Sequence, residues 1–330
     1  ACGHGKIHRT GHHSTIMTRI VAPLELLHID LCGPSSVESM SGKKYILVIV
    51  DEFSRFTWVY FLRQKSETTA TLIKFIKYIE NHLKKPVRKI RSDNGTEFKN
   101  KELDGYLEER GIEHNFSAPY TPQQNGVVER KNRSLVEAAR SMLNFANLPL
   151  YFWAEAIATA CFTQNRSYLH KRFNITPYEI LNKKKPNLKF LHIFGSRCFI
   201  MKMNVTQNKF SSKSDEGIFL GYSHNSKCFR VLNRRTRCVE EHLNISFDDH
   251  YVRNPTVIFE RPSLFPSPSI ESSPCVSFEE DFNDFFDDPE TALDAEANAE
   301  DNLMVPRPIP VPAQVQPTPA MTPQVSYSTH

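Results

Sequence analysis

Three acidic residues occupy positions from which carboxylates could carry out metal-dependent chemistry. Asp30 lies at the end of an apolar segment, and Asp93 directly follows a second one. Glu129 begins a helical pattern after a loop rich in proline and glycine, with 35 residues between it and Asp93. Mg²⁺ prefers oxygen ligands and usually takes one or two carboxylates per ion. Three carboxylates could therefore hold two ions that activate a water or hydroxyl and stabilise a leaving oxygen.

Each acid also has an ordinary structural explanation, because aspartate favours turns and glutamate favours the first turn of a helix. The surroundings of Glu129 add weight to a functional role. Four bases lie on the same helical segment, namely Arg130, Lys131, Arg133 and Arg140. Arg133 follows Glu129 by four residues, which places it one turn along the same face. A carboxylate beside arginine suits a site for metal and phosphate, and it is equally typical of a surface ion pair.

The elements that position these acids follow from the spacing of apolar residues. Short segments rich in β-branched and aromatic residues predict strands at residues 24–31, 44–51, 57–62, 87–90 and 112–117. Apolar residues at helical spacing predict helices at residues 66–85, 101–110 and 127–145. Because strands come first and helices alternate afterwards, we expect an α/β fold with a mixed sheet and helices packed on it.

The rest of the chain changes character twice. Residues 150–185 are typical of helices, most clearly at 152–168. Residues 196–248 consist of short β-rich runs separated by polar turns, a pattern that predicts a small β-barrel. From about residue 255 the sequence is rich in proline, serine and acids and has no periodicity, which is typical of a disordered linker.

The net charge of +4 hides an uneven distribution. Residues 271–330 hold twelve acidic residues and one basic residue, so the remainder holds 40 basic and 25 acidic residues, a net of +15. This balance favours a polyanionic partner such as nucleic acid, although a basic protein without such a partner has the same composition. The longest apolar stretch, residues 45–50, is far shorter than the roughly 18 residues of a membrane span, so we expect no membrane partner.

Six short sequences together resemble the integrase region of copia-type LTR retrotransposon Pol polyproteins. The first three carry the acids: HIDLCGP at 28–34, RSDNGTEF at 91–98 and YTPQQNGVVERKN at 120–132. The other three follow downstream: FWAEA at 152–156, TPYEI at 176–180 and GIFLGY at 217–222. The third sequence is a specific signal by itself, and the three acid-bearing ones in this order are more specific still. The resemblance covers about residues 1–250.

The resemblance implies a ribonuclease-H-like fold and two metal-dependent reactions. In the first the 3′ ends of the element's DNA are trimmed by hydrolysis, and in the second the freed 3′-hydroxyl attacks target DNA. The catalytic residues and metal ligands would be Asp30, Asp93 and Glu129, with two Mg²⁺ ions for which Mn²⁺ can substitute. Contacts to DNA would come from Asn125, Lys131 and Arg133.

The resemblance also implies partners and a location. The partners would be DNA, as element ends and target duplex, and further copies of the chain in a homo-oligomer. The location would be the nucleus, with a stage in cytoplasmic particles.

Five segments follow from the patterns and the resemblance together. We expect a remnant of an N-terminal zinc module at residues 1–20 and an integrase catalytic core at 21–148. A helical extension follows at 149–195, a small β-barrel at 196–252 and a disordered acidic, proline-rich linker at 253–330.

The N-terminal segment departs from the family's His-His-Cys-Cys zinc module. Cys2 resembles the last cysteine of that module. His4 and His8 lie nearby, but their spacing from Cys2 is poor for a closed tetrahedral site. We therefore expect no intact zinc site in this chain.

Two other functions remain open from the sequence. One is a catalytically inactive fragment or host-adopted module that binds nucleic acid. All three acids are present, which speaks against decay of the site. The other is a ribonuclease H acting on RNA–DNA hybrids, which would share the fold. The loop and helix around Glu129 favour an integrase over this enzyme.

Overall fold

A computed structural model describes residues 20–117, 125–202, 212–223 and 227–248 of the chain. The expected remnant of a zinc module, apart from Ile20, and the expected linker at 253–330 lie outside the described residues. The boundaries of the five expected segments stay predictions.

Five strands form the sheet that carries the first two acids. Their bounds are β1 Leu27–Cys32, β2 Tyr45–Asp51, β3 Thr57–Leu62, β4 Lys89–Ser92 and β5 Glu113–Phe116. The strand order is β3-β2-β1-β4-β5. Strands β1, β2 and β3 pair antiparallel, whereas β1 with β4 and β4 with β5 pair parallel. This arrangement confirms the mixed sheet that a ribonuclease-H-like fold requires.

The turn before β1 shifts the start of the strand beyond the prediction. Leu24 has a positive φ of 69°, which is uncommon for a residue other than glycine and typical of a turn. Its backbone N–H donates to the buried carboxylate of Asp51 at 2.9 Å. The strand therefore begins at Leu27 and not at Leu24.

Two helices cover one face of the sheet. They are α1 Glu67–Leu83 and α2 Lys101–Glu109. Side chains alternate between the two faces of a strand, so Leu47 and Ile49 of β2 pack against these helices while Val48 and Val50 pack on the other side. The sheet thus separates two apolar cores.

The opposite face is covered by the helices that follow β5. They are α3 Gly126–Ala146 and α4 Trp153–Ser167, joined by a single 3₁₀ turn. The short helix α5 Pro177–Asn182 contributes Tyr178 and Leu181 to the core under α1 and α2. The predicted long helix containing Glu129 is confirmed within one residue at each end. Trp58 and Trp153, expected in the core, are 0% and 8% exposed.

A second sheet follows the helices. Its strands are β6 Arg197–Met201, β7 Ser214–Tyr222, β8 Phe229–Asn233, β9 Val239–His242 and β10 Ile245–Phe247. They pair antiparallel in the order β10-β6-β7-β8-β9. Where the sequence predicts a small barrel, the described residues form a five-stranded sheet in which β10 and β9 are the edges.

Helix α4 joins the second sheet to the first. Arg230 of β8 donates two hydrogen bonds, of 3.0 and 2.9 Å, to the carboxylate of Glu155, and both residues are buried. One turn further, the hydroxyl of Thr159 donates to the backbone oxygen of Leu220 at 2.8 Å. In the described parts of the chain, none of the helices is both long and apolar enough to cross a lipid bilayer.

Candidate active site

Asp30 lies on β1, in the middle of the sheet. Because side chains alternate along the strand, Leu27 and Ile29 pack into the core under α1 and α2. Asp30 therefore faces the side on which α3 packs. It is partly buried, and β1 has a neighbouring strand on each side.

Asp93 directly follows β4, the parallel neighbour of β1. The register pairs His28 with Arg91, and both acids come two residues later on their strands. Continuing the register places Asp93 level with Asp30. The backbone N–H of Gly95 donates to Asp93 Oδ1 at 3.2 Å, a local turn of the kind that aspartate favours.

Glu129 lies in the first turn of α3, and its two neighbours on the same helix face are bound to β1. Asn125, four residues earlier, donates through Nδ2 to the backbone oxygen of Ile29 at 3.3 Å. Asn132, three residues later, donates through Nδ2 to Oδ2 of Asp30. Residues three and four apart share a helix face, so Glu129 lies on the face that contacts β1.

The electrostatics of Asp30 agree with this arrangement. Burial raises the pKa of Asp30 above its usual range, and the negative charge of Asp93 raises it further. The hydrogen bond from Asn132 lowers the pKa, while the charge of Glu129 raises it. The charges of both acids thus act in the same direction on the pKa of Asp30.

The carboxylates of Asp30, Asp93 and Glu129 are of the type that a hard divalent cation such as Mg²⁺ prefers as ligands. A cation there would offset the repulsion that raises the pKa of Asp30. In the described part of the chain, no three His, Cys, Asp or Glu side chains are grouped closely enough to hold an ion as they stand. Asp93 and Glu129 are exposed, so their side chains have room to change rotamer when an ion binds.

The three residues expected to contact DNA lie in different environments. Asn125 is 2% exposed and holds the backbone of β1. Lys131 donates from Nζ to Gln164 of α4 at 2.9 Å, and burial lowers its pKa. Arg133 is exposed. The positions of Asn125 and Lys131 favour a structural role, whereas Arg133 is accessible to a ligand; the DNA contacts themselves stay predictions.

Asn132 is the residue of this site that sequence reasoning missed. It is the last residue of the sequence YTPQQNGVVERKN at 120–132, in which the resemblance assigns roles to Asn125, Glu129 and Lys131 only. Its spacing of three residues from Glu129 was the available signal, because it places the two side chains on one helix face. The hydrogen bond to Asp30 could not be read from spacing alone.

A second polar cluster lies beside the acids on the same face of the sheet. His28 is 2% exposed, and its Nε2 lies 2.9 Å from Oε2 of Glu52. Arg55 donates to the other oxygen of Glu52 at 2.9 Å. Burial raises the pKa of Glu52, but the hydrogen bond to His28 and the charge of Arg55 outweigh it, so the pKa is lowered overall.

The sequence matches two protein-family models. The integrase core domain matches residues 21–122, and the retroviral polymerase SH3-like domain matches residues 196–260. The first match contains Asp30 and Asp93, and the second contains all five strands of the second sheet.

Two plant Pol polyproteins are among the similar curated proteins. The chain is 35% identical over 280 residues to the retrovirus-related Pol polyprotein from transposon TNT 1-94 of Nicotiana tabacum, covering 83% of this chain and 21% of that protein. It is 33% identical over 228 residues to the retrovirus-related Pol polyprotein from transposon RE1 of Arabidopsis thaliana, covering 69% of this chain and 15% of that protein. The chain thus spans about a fifth or less of the length of these relatives.

Two solved structures are similar to this chain to a limited extent. One is the HTLV-2 integrase catalytic core domain in complex with magnesium, in a trimeric form, with 24% identity and a TM-score of 0.38, covering 49% of this chain and 99% of that chain. The other is the simian T-cell lymphotropic virus intasome in complex with the PP2A regulatory subunit B56 gamma, with 19% identity and a TM-score of 0.41, covering 69% and 77%.

Proposed function

This chain carries the integrase core and SH3-like domains of copia-type retrotransposon Pol polyproteins, and we propose that it acts as the DNA-cutting and DNA-joining part of an integrase. What supports the proposal is that Asp93 continues the register of Asp30 on the neighbouring strand, while Glu129 shares a helix face with Asn132, which donates to Asp30.

The reactions are hydrolysis of a phosphodiester near the 3′ end of the element's DNA and attack of the resulting 3′-hydroxyl on target DNA. Two Mg²⁺ ions, or Mn²⁺ in their place, would activate the attacking oxygen and stabilise the leaving oxygen. Asp30, Asp93 and Glu129 are the residues that would hold them. Asn132 donates to one oxygen of Asp30 and would orient this carboxylate toward an ion.

The proposed partners are the ends of the element's DNA, a target duplex and further copies of the chain. The excess of basic residues before residue 271 supports a polyanionic partner. Exposed Arg133, one turn from Glu129, is the accessible DNA-contact candidate. We also propose a nuclear location with a cytoplasmic particle stage.

A strand-transfer assay on supercoiled plasmid tests the proposal. The wild type with Mg²⁺ or Mn²⁺ is expected to join oligonucleotides that represent element ends to the plasmid, and chelation of the metal is expected to abolish joining. Glu129→Gln is expected to reduce joining to background. Glu137→Gln, the same change at an exposed position eight residues along α3, serves as the control and is expected to retain activity.

Equal activity of Glu129→Gln and the wild type would refute the assigned role. DNA binding by the wild type without metal-dependent cutting or joining would identify a non-catalytic module. Cleavage of RNA–DNA hybrid but not of duplex DNA would identify a ribonuclease H.

A further inference from the structure

One basic residue beside the acids has no hydrogen-bond or ion-pair partner among the described residues. Arg91 precedes Asp93 by two residues on β4, and it pairs in register with His28, which precedes Asp30 by two residues on β1. Ile90 is 0% exposed in the core under α1 and α2. Because side chains alternate along a strand, Arg91 faces the same side of the sheet as the two aspartates.

Arg91 makes no hydrogen bond or ion pair within the described residues and is partly buried. Its neighbour on the same strand and face differs in this respect, since Lys89 forms an ion pair of 2.7 Å with Glu113. A partly buried guanidinium has lost part of its hydration, so a missing partner calls for an explanation.

The charge of Arg91 contributes to lowering the pKa of two acids, Glu52 and Glu113. Glu113 is paired with Lys89 at 2.7 Å. Both oxygens of Glu52 are already engaged, one with His28 and one with Arg55, each at 2.9 Å. Within the described part of the chain, the five donor hydrogens of Arg91 therefore remain available to an incoming anion.

We propose that Arg91 binds the non-bridging oxygens of a DNA phosphodiester next to the one that reacts at Asp30, Asp93 and Glu129. The proposal rests on the proposed function and adds a phosphate-binding position to it. Arginine suits this role because its planar guanidinium can donate two parallel hydrogen bonds to a phosphate. Such a contact fixes the position of the strand and carries no sequence information.

The spacing fits a neighbouring phosphodiester. Two residues of a strand span roughly 6.6 Å, which separates Arg91 from Asp93 and also His28 from Asp30. Successive phosphates of one DNA strand advance about 3.4 Å along the helix axis. Arg91 thus lies at the level of a phosphate one or two nucleotides from the reacting bond.

Salt-dependent binding tests the contact without relying on catalysis. The affinity of the full chain for a fluorescent duplex of about 20 base pairs would be measured by anisotropy with chelator present, over a series of salt concentrations. Each phosphate contact contributes about 0.9 to the slope of log K against log salt for duplex DNA. Arg91→Gln is expected to lower the slope by about that amount, and Arg91→Lys, which keeps the charge, is expected to retain it.

Lys89→Gln is the matched control, because it removes the same charge from the same strand and face at a residue already paired with Glu113. It is expected to leave the slope unchanged. An unchanged slope for Arg91→Gln, an equal loss for Lys89→Gln, or a loss for Arg91→Lys as large as for Arg91→Gln would overturn the proposal. Because Arg91 has no hydrogen bond within the described residues, the thermal midpoint of Arg91→Gln is expected to match the wild type.

A second experiment locates the phosphate. Single phosphates near the 3′ end of the DNA are replaced in turn by neutral methylphosphonates, and the affinities of wild type and Arg91→Gln are compared for each duplex. A double-mutant cycle is expected to show coupling at one position within two nucleotides of the processed bond. Coupling spread evenly over all positions, or none, would contradict a specific contact.

The two proposals can fail separately. Normal strand transfer with no coupling at any phosphate would overturn the role of Arg91 and leave the integrase function intact. Coupling at one phosphate in a protein whose wild type does not join DNA would support the phosphate contact and refute the catalytic proposal. A wild type that does not bind DNA would overturn the phosphate contact.

Discussion

At the scale of single residues, the carboxylate of Asp30 is held by a residue from another element. Asn132 of α3 is 8% exposed and donates to Oδ2 of Asp30. An outer partner of this kind orients a metal ligand, and its loss typically costs 10- to 100-fold in metal affinity or activity. We therefore propose that Asn132 acts on the reaction through Asp30, as a positioning residue.

Substitution of Asn132 tests this role. Asn132→Ala is expected to lower metal-dependent strand transfer by roughly 10- to 100-fold and to raise the Mg²⁺ concentration needed for half-maximal activity. The control is Asn144→Ala, at an exposed position on the same helix, which is expected to change neither. A uniform loss of activity at every Mg²⁺ concentration would indicate a structural role for Asn132 instead.

At the scale of elements, a buried carboxylate organises the hairpin that β2 and β3 form. Asp51 is 0% exposed and accepts hydrogen bonds from the backbone of Leu24, from the backbone of Ser54 and from the hydroxyl of Ser54. These bonds tie the turn before β1 to the turn after β2. Burial raises the pKa of Asp51, and the bonds from Ser54 counteract part of that effect.

Removal of this carboxylate is expected to destabilise the first sheet. Asp51→Ala leaves buried donors without an acceptor, and each costs about 1–3 kcal/mol. We expect the free energy of unfolding, measured with urea, to fall by about 3 kcal/mol. Asp104→Ala, at an exposed position in the first turn of α2, is expected to cost less than about 1 kcal/mol. Similar losses for the two variants would contradict the assigned role.

Two glycines are expected to respond to alanine in opposite directions. Gly221 of β7 has a φ of +141°, and a Cβ there would lie 2.1 Å from Oγ1 of Thr159 on α4. Gly105 lies within α2, and a Cβ there would meet no atom within 4 Å. Gly221→Ala is therefore expected to destabilise the protein, whereas Gly105→Ala should stabilise it by about 0.4–1 kcal/mol. Thermal unfolding of both variants measures the difference, and a stable Gly221→Ala would show that the contact with α4 can relax.

At the scale of the whole described structure, the second sheet is attached to the core by a buried ion pair. Glu155 and Arg230 are each 5% exposed, and Arg230 also donates to Glu241 at 2.8 Å. Breaking a buried pair leaves an uncompensated charge, which costs about 3–5 kcal/mol. Removing one partner of this pair is therefore expected to weaken the contact between α4 and strand β8.

The expected consequence is a loss of stability centred on the second sheet. Glu155→Ala is expected to lower the free energy of unfolding by about 3–5 kcal/mol and to increase amide exchange in β7–β9 before it does so in β1–β3. Removal of Glu38 from its exposed pair with Lys44 is expected to cost at most about 1 kcal/mol. Equal exchange in both sheets of Glu155→Ala would show that they unfold as one unit.

The amino-acid sequence by itself determined the elements and the identities of the three acids. Runs of β-branched and aromatic residues in the strands and helical spacing in α1, α2 and α3 are local patterns, so these elements are predicted within a few residues. The acids were identified because Asp30, Asp93 and Glu129 lie in short sequences that resemble a known family. The conformation of the turn before β1 was less accessible, since Leu24 combines a positive φ with a hydrogen bond to Asp51, 27 residues away.

Only the tertiary structure decided which side chains face one another. Asn125 and Lys131 read as DNA contacts in the sequence, yet one is buried against β1 and the other donates to Gln164 of α4. The role proposed for Asn132 follows from its contact with Asp30, 102 residues away. The role proposed for Arg91 follows from the pairing register of β1 and β4. Such contacts depend on how sheet and helix pack together, and the spacing of residues along one segment carries no information about the segment packed against it.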